Sequence, residues 1–246
     1  MPAKKVLITG AAGGIGSYLV HNLPAVQYDL VLADIRQPDY EPSQPFIELD
    51  IANLDQFTAA CEGVDTVVHL AADPRTTAPW ESLLPANVIG VYNAFEAARR
   101  AGCKRVIYAS SINASSGYPV DVQIRTDMPT HPGNLYGATK VWGEAVAQVY
   151  ADHHNVSCLC LRFGWVGSRD DADKLTTQRA LSIYITFEDI QRLIVACIDA
   201  PDDLKFGIFH GLSDNLYKRM DLTDTCAILG YEPQDDAFEL SKQFSD

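Results

Sequence analysis

The chain is short of positive charge, of closely spaced metal ligands and of long apolar runs, and each shortage removes a class of function. Lys plus Arg total 19 against 32 Asp plus Glu, a net charge of −13 over 246 residues. Such a surface repels polyanions, so no nucleic-acid partner is expected. Polar or breaking residues interrupt every Val/Leu/Ile run within about ten residues, well below the length that crosses a bilayer. No membrane span is expected. Met1 to Gly10 passes directly into a strand-like stretch, without a cationic region, a long apolar segment and a small-residue cleavage site. A cytoplasmic location is the expectation. The six cysteines (Cys61, Cys103, Cys158, Cys160, Cys197 and Cys226) are scattered and mostly sit in apolar runs, which fits buried, reduced thiols rather than zinc or disulfides. His153 and His154 are neighbours on an expected helix, where adjacent side chains diverge by about 100° and chelate poorly. No metal site is expected.

What is present is an alternation of short β-branched runs with longer helical patterns, the mark of crossover units on a parallel sheet covered on both faces. Strands are expected at Lys5–Thr9, Leu30–Ala33, Phe46–Leu49, Thr66–Leu70, Arg105–Ala109, Val156–Arg162 and Gly207–His210. Leu84, Val88, Val91, Phe95 and Ala98 recur at helical spacing, as do Leu135, Ala138, Trp142, Ala145 and Val149, which predicts two amphipathic helices. The Pro-bearing stretch Gln37–Pro45 reads as a surface loop. Residues 1–246 are expected to form a single α/β domain, with 168–186 and 211–246 contributing a small lobe at the carboxyl edge of the sheet.

Val6-Leu7-Ile8-Thr9-Gly10-Ala11-Ala12-Gly13-Gly14-Ile15-Gly16 is an apolar strand running into a glycine-rich turn and a helix. Gly10 suits the tight turn, Gly13 a close approach of backbone to a pyrophosphate, and Gly16 the packing of helix on strand, while Gly14 and Ile15 open a helix whose free N–H groups attract phosphate. Asp34 closes the second strand about twenty residues later, where a carboxylate can accept both ribose hydroxyls and repel a 2′-phosphate. Together these predict a doubly wound, parallel-sheet Rossmann fold that binds NAD. Arg36 stands two residues on and could soften the preference for NAD over NADP. Ile35 beside Asp34, Asp50 and Ile51 after the third strand, and Leu70-Ala71-Ala72 after the fourth are the further expected cofactor neighbours.

Tyr136 and Lys140 lie four residues apart, about one turn from each other on one helix face. A cation held near a phenol favours the phenolate, which makes Tyr136 a usable base near neutral pH, and Lys140 can also hold a nicotinamide ribose. Upstream, the apolar strand Val106 to Ala109 ends in Ser110-Ser111, where a parallel sheet presents side chains to its crevice. Ser111 can hydrogen-bond a reacting oxygen.

Thr9-Gly10-x-x-Gly13-x-x-Gly16, Asp34, His69-Leu70-Ala71-Ala72, Asn87, Ser110-Ser111 and Tyr136-x-x-x-Lys140 occur in the order seen in extended short-chain dehydrogenase/reductases, the NAD-dependent epimerase/dehydratase group, which the first two-thirds of the chain resembles. The resemblance implies Ser111, Tyr136 and Lys140 as the catalytic triad, with Tyr136, Lys140, Asn87 and Phe163 near the nicotinamide. The stretch after Lys140 is short for a lobe that holds a nucleotide sugar, so a small sugar fits better. Arg179-Ala180-Leu181-Ser182 followed by Phe187-Glu188-Asp189-Ile190 resembles uronate dehydrogenases, which implies that Arg179 grips a sugar carboxylate. Ile112-Asn113 stands where those enzymes carry an Asn-His pair. Thr76, Thr77, Ser111 and Asn113 are candidate partners for sugar hydroxyls, and Arg179 is also open to a surface role.

The reading is an NAD-dependent dehydrogenase acting at C1 of a uronate or related aldose or sugar phosphate. The alternatives are a nucleotide-sugar epimerase or dehydratase that retains its NAD, and a non-catalytic NAD(P)-binding redox sensor. The helices over 84–100 and 135–151 carry apolar residues on more than one face, and a homodimer joined through them is expected.

Overall fold

The computed structural model describes residues 3–241, so Met1, Pro2 and residues 242–246 of the expected lobe lie outside the described residues. Strand β1 (Lys4–Thr9) is apolar on both faces, with Val6, Leu7 and Ile8 fully buried, as a central parallel strand requires. Around it are β2 (Tyr28–Asp34), β3 (Phe46–Glu48), β4 (Thr66–His69), β5 (Arg105–Ser111), β6 (Ser157–Phe163) and, further along the chain, Phe206–Gly211. These seven strands form one sheet in the order β3-β2-β1-β4-β5-β6 with Phe206–Gly211 at the far edge, and every neighbouring pair is parallel. Chain order reverses between β1 and β4, and a crevice opens beyond the carboxyl ends of the strands at such a point.

Helices α1 (Gly14–Asn22), α2 (Leu54–Ala60), α3 (Trp80–Leu83), α4 (Gly90–Ala101) and α5 (Leu135–His154) follow in the first two-thirds. Residues alternate between two cores: Val6, Ile8, Ile107, Leu159 and Leu161 pack with Leu19 and Val20 of α1, whereas Leu7, Val106, Tyr108, Cys158 and Cys160 pack with Phe57, Phe95 and Ala147 of α2, α4 and α5. The sheet is therefore covered on both faces, a doubly wound α/β fold. Among the described residues no helix is long and apolar enough to cross a membrane. No group of three or more potential metal ligands converges among them either.

Two features differ from the sequence reading. A two-stranded parallel sheet, β7 (Trp165–Gly167) with β8 (Tyr184–Thr186), was not expected, because three residues are too few to show a period. The helix expected from Leu84 begins at Trp80 and passes through a π-helical segment, Leu84–Ile89, before α4. Pro85 has no N–H to give to the preceding turn, and the Gly90 N–H reaches back to the Pro85 carbonyl instead. Leu135, Ala138, Trp142, Ala145 and Val149 are all exposed. The apolar stripe of α5 faces outward, and its inner face carries Tyr136, Lys140, Gly143, Glu144 and Ala147.

Beyond β6 come the 3₁₀ turn Arg169–Lys174, α6 (Gln178–Leu181), β8 and α7 (Phe187–Asp199), then β9 (Phe206–Gly211), α8 (Thr223–Leu229) and α9 (Ala237–Leu240). A separate apolar cluster joins Ala172, Leu175, Leu181 and Tyr184 to Ala237. At the opposite end of the sheet, α7 has no basic residue in its last turn. Arg105 supplies the missing cation from β5, donating to the carbonyls of Cys197, Ala200 and Pro201 at 2.8 Å each.

Two histidines are sealed in the fold. Desolvation lowers the pKa of His69 to about 3, helped by the charge of Lys140, and that of His210 to about 4. Both stay neutral when folded and take up a proton on unfolding below about pH 6.5. Stability should thus be full above about pH 6.5 and fall as the pH drops toward 4, by up to about 1.4 kcal/mol per pH unit for each histidine. Urea midpoints at pH 7, 6 and 5 check this, and His69→Gln should reduce the slope by about one proton.

Candidate active site

The crevice holds a cavity of about 1050 Å³ lined by Gly10, Gly13, Gly14, Ile15 and Gly16 on one side, Asp34, Ile35, Asp50 and Ile51 at one end, and Leu70, Ala71 and Ala72 from the β4 loop. Gly10 has φ +74°, and a Cβ there would stand 2.8 Å from the Ala71 amide nitrogen, so only glycine lets the β1 and β4 loops meet. No side chain caps Gly13 and no acid occupies the first turn of α1. The first turn of α1 therefore offers amide donors to an anion without a competing acid of its own. Asp34 Oδ2 accepts from the Ala12 amide at 3.0 Å and Oδ1 from the Arg36 amide at 3.1 Å. The carboxylate is fixed beside the glycine turn with lone pairs left over for a diol.

Ser111, Tyr136 and Lys140 are brought together by α5 and the end of β5. Asn134 caps α5, its Oδ1 accepting from the Gly137 amide at 2.7 Å, and its Nδ2 donates to Asn113 Oδ1 at 2.9 Å. Asn113 in turn donates to Ser111 Oγ twice, from its amide at 3.2 Å and from Nδ2 at 3.1 Å. With its lone pairs filled, the Ser111 hydroxyl keeps its proton free to donate. The Ser111 side chain hydrogen-bonds Tyr136 and opposes burial, the larger effect, which pushes the phenol pKa up. Lys140 Nζ donates to the Ala109 carbonyl at 2.8 Å and sits 5.4 Å from the Tyr136 ring centre. Burial lowers its pKa to about 8, against the opposing attraction of Glu144.

Behind this pair lies a buried polar seam. Glu144 Oε1 accepts from Ser110 Oγ at 2.6 Å and from Arg162 Nε at 2.7 Å, and Oε2 accepts from Arg162 Nη2 at 2.8 Å. Both charges are sealed from solvent, at 1% and 4% exposure. Leaving either without its partner would cost about 3–5 kcal/mol.

Other expected site residues fall elsewhere. Tyr136, Lys140, Asn87 and Phe163 do not line the cavity. Asn87 is buried in the π-helical segment and clamps Asp73, accepting from its amide at 2.8 Å and donating to its carbonyl at 3.0 Å. Phe163 belongs to the core, and Val166 lines the cavity instead. Thr76 is exposed on the loop after β4. Arg179 is exposed on α6, forms no ion pair among the described residues, and lies near enough to Arg219 to depress its pKa, though less than burial does. Arg219 donates to the carbonyls of Val122 and Tyr118. It thereby ties its segment to the loop that follows Ser111.

Asp73 was missed by the sequence reading. It lines the cavity, accepts from Arg75 at 2.6 Å and from Ser82 Oγ, and its charge acts on Tyr136. Asn134 was legible as an Asn before a helix, and Glu144 as the next turn after Lys140. Asp73 carried no local signal.

The family model for the NAD dependent epimerase/dehydratase family matches residues 6–187. The NAD-dependent glucose-6-phosphate dehydrogenase of Haloferax volcanii is 31% identical over 254 residues, covering 96% of this chain and 95% of that protein. The uronate dehydrogenase of Pseudomonas syringae pv. tomato is 32% identical over 216 residues, covering 87% and 76% respectively. A mutant uronate dehydrogenase from Agrobacterium tumefaciens complexed with NAD superposes with a TM-score of 0.86 at 30% identity, over 98% of this chain and 89% of that one.

Gly137 is the point of closest approach between α5 and the Ser111 turn, since a Cβ there would stand 2.2 Å from the Asn113 carbonyl oxygen. Gly137→Ala should push Ser111 away from Tyr136 and lower turnover by about tenfold or more, with dinucleotide affinity within about twofold of wild type. Steady-state kinetics and binding calorimetry separate the two effects.

Proposed function

The chain belongs to the NAD dependent epimerase/dehydratase family, and we propose that it is an NAD-dependent dehydrogenase that oxidises a small sugar at C1 to the lactone. Its substrate is a uronate or a related aldose or sugar phosphate. The observation that carries this reading is the convergence of Ser111, Tyr136 and Lys140, with Tyr136 under the charge of Asp73, which lines the cavity that Asp34 and the glycine turn enclose. The uncapped first turn of α1 suits a pyrophosphate and the Asp34 carboxylate a ribose diol. NAD is the cofactor, and when bound it supplies the hydride acceptor.

The chain's own residues do the remaining work. Burial opposes both charged forms of the pair, pushing Tyr136 up and Lys140 down to about 8. Against that burial, the hydrogen bond from Ser111 favours the phenolate form of Tyr136. Tyr136 takes the proton of the C1 hydroxyl as the C1 hydride leaves, and the free Ser111 proton orients the oxygen. Lys140 keeps two donors beyond its bond to Ala109, one of them for the nicotinamide ribose.

Residues 168–186 and 211–241 are assigned to the substrate lobe. They are stitched together by Asn215 Nδ2 to the Tyr184 carbonyl at 2.9 Å and by the Arg219 amide to the Ser182 carbonyl at 3.0 Å. Arg179, free of any ion pair among the described residues and near a second arginine, is the group assigned to an anionic substrate. We assign the exposed stripe of α5, with Leu135 at 60%, Trp142 at 43% and Val149 at 50%, together with Tyr92 of α4, to a twofold homodimer interface.

A panel of uronates, aldoses and sugar phosphates with NADH absorbance as readout tests the activity. Arg179→Ala should lower kcat/KM on the anionic substrates by about 30-fold or more and leave neutral sugars nearly unaffected. Equal losses on both would make Arg179 structural, and no NADH from any sugar would sink the dehydrogenase reading. For the dimer, light scattering at micromolar concentration should give twice the chain mass, and Trp142→Glu should give the mass of one chain.

A further inference from the structure

Glu144 touches no part of the cavity, yet it is bonded to each element that carries the reacting groups. It lies on α5 one turn beyond Lys140, which is itself one turn beyond Tyr136. Its Oε1 takes the hydroxyl of Ser110, the strand neighbour of Ser111, and both its oxygens take the guanidinium of Arg162 on β6. Three successive inward turns of α5 thus meet three successive residues of β5: Tyr136 meets Ser111, Lys140 the Ala109 carbonyl, and Glu144 the Ser110 side chain. A buried ion pair is weak evidence for stability, because an apolar pair of similar volume commonly replaces it without loss. Its location therefore asks for another role.

We propose that Glu144 is a positioning residue for the reaction, fastening α5 to β5 and β6 behind the Tyr136–Lys140 pair and supplying the fixed negative charge that keeps Lys140 an ammonium. This rests on the reading of Tyr136 and Lys140 as the proton-accepting pair. The other groups packed around Lys140 cannot supply that charge. Tyr136 and Glu144 face it from α5, Tyr108 from β5 with its ring centre 5.2 Å from Nζ, and His69 from β4. Burial keeps His69 neutral and holds Tyr108, and Cys160 on β6, in their protonated forms. Arg162 is a cation, and Asp73 acts on Tyr136 rather than on Lys140. Arg162 holds the carboxylate in place, and Ser110 sets its height against β5.

Glu144→Gln keeps the shape and removes the charge. Lys140 then releases its proton more readily, so the alkaline limb of the kcat/KM profile should move to lower pH by about one unit, with kcat down by about tenfold at neutral pH. NAD affinity should stay within about twofold of wild type, because the cavity is untouched. The double variant Glu144→Leu/Arg162→Met, uncharged and of similar volume, covers the case in which Glu144→Gln does not fold; its profile should also lie below wild type, by a smaller interval. A residue that merely packs would lower the Tm and leave the profile unmoved, and that result in either variant overturns the inference. Tyr136→Phe serves as the control. If it retains turnover, the reading of the pair fails and takes this inference with it, whereas an inactive Tyr136→Phe with an unmoved profile in the Glu144 variants overturns the role of Glu144 alone.

Discussion

The polar seam between α5 and the ends of β5 and β6 is the constraint around which the molecule is arranged. An ion pair sealed at 1% and 4% exposure tolerates no separation of its two charges, since a charge left unpaired there is strongly destabilising. That requirement fixes the rotation of α5 about its axis and its height along β5. Once both are set, Tyr136 and Lys140 have no freedom to face elsewhere, and the apolar residues of the opposite stripe must point away from the sheet. The outward stripe and the inward polar face are thus one fact seen from two sides.

The crevice divides the work between strand ends. The β1 and β2 ends, with the glycine turn and Asp34, present amide donors and a carboxylate, a combination complementary to a pyrophosphate and a diol. The end of β5 presents a serine hydroxyl that already accepts two hydrogen bonds, and α5 brings a phenol and a lysine amine against it. Between them Asp73, held at its backbone by Asn87 and at its carboxylate by Arg75 and Ser82, closes the middle. The π-helical segment around Asn87 delivers that clamp, because the extra residue per turn rotates Asn87 inward. The segments that leave the carboxyl ends of β6 and β9 carry Arg179 and Arg219, close enough for one charge to act on the other.

Much of this was legible in the residues alone, and the reason is local. Seven strands show in their apolar runs, and the glycine turn, Asp34 and the Tyr136–Lys140 spacing each depend on neighbours within a turn or a loop, where backbone geometry dictates what faces what. The observed strand limits differ from the expected ones by a residue or two. Helical periodicity marked α5 but left open which side packs on the sheet, because apolar spacing reports which residues share a face and says nothing about which face the sheet takes.

Everything that required two distant segments to meet came from the folded chain. The Asn134–Asn113–Ser111 relay joins a helix cap to a strand end, and the Glu144 carboxylate joins α5 to β6, each through hydrogen bonds whose existence depends on strand register and helix rotation. The same holds for Asn87, which turned from an expected cofactor neighbour into the clamp on Asp73. Local spacing determined the groups that the chain carries, namely a glycine-rich turn, a strand-end carboxylate, and a tyrosine and a lysine one helical turn apart. Tertiary packing decided how that chemistry is held, because a buried polar group must find its partner wherever in the sequence the partner lies.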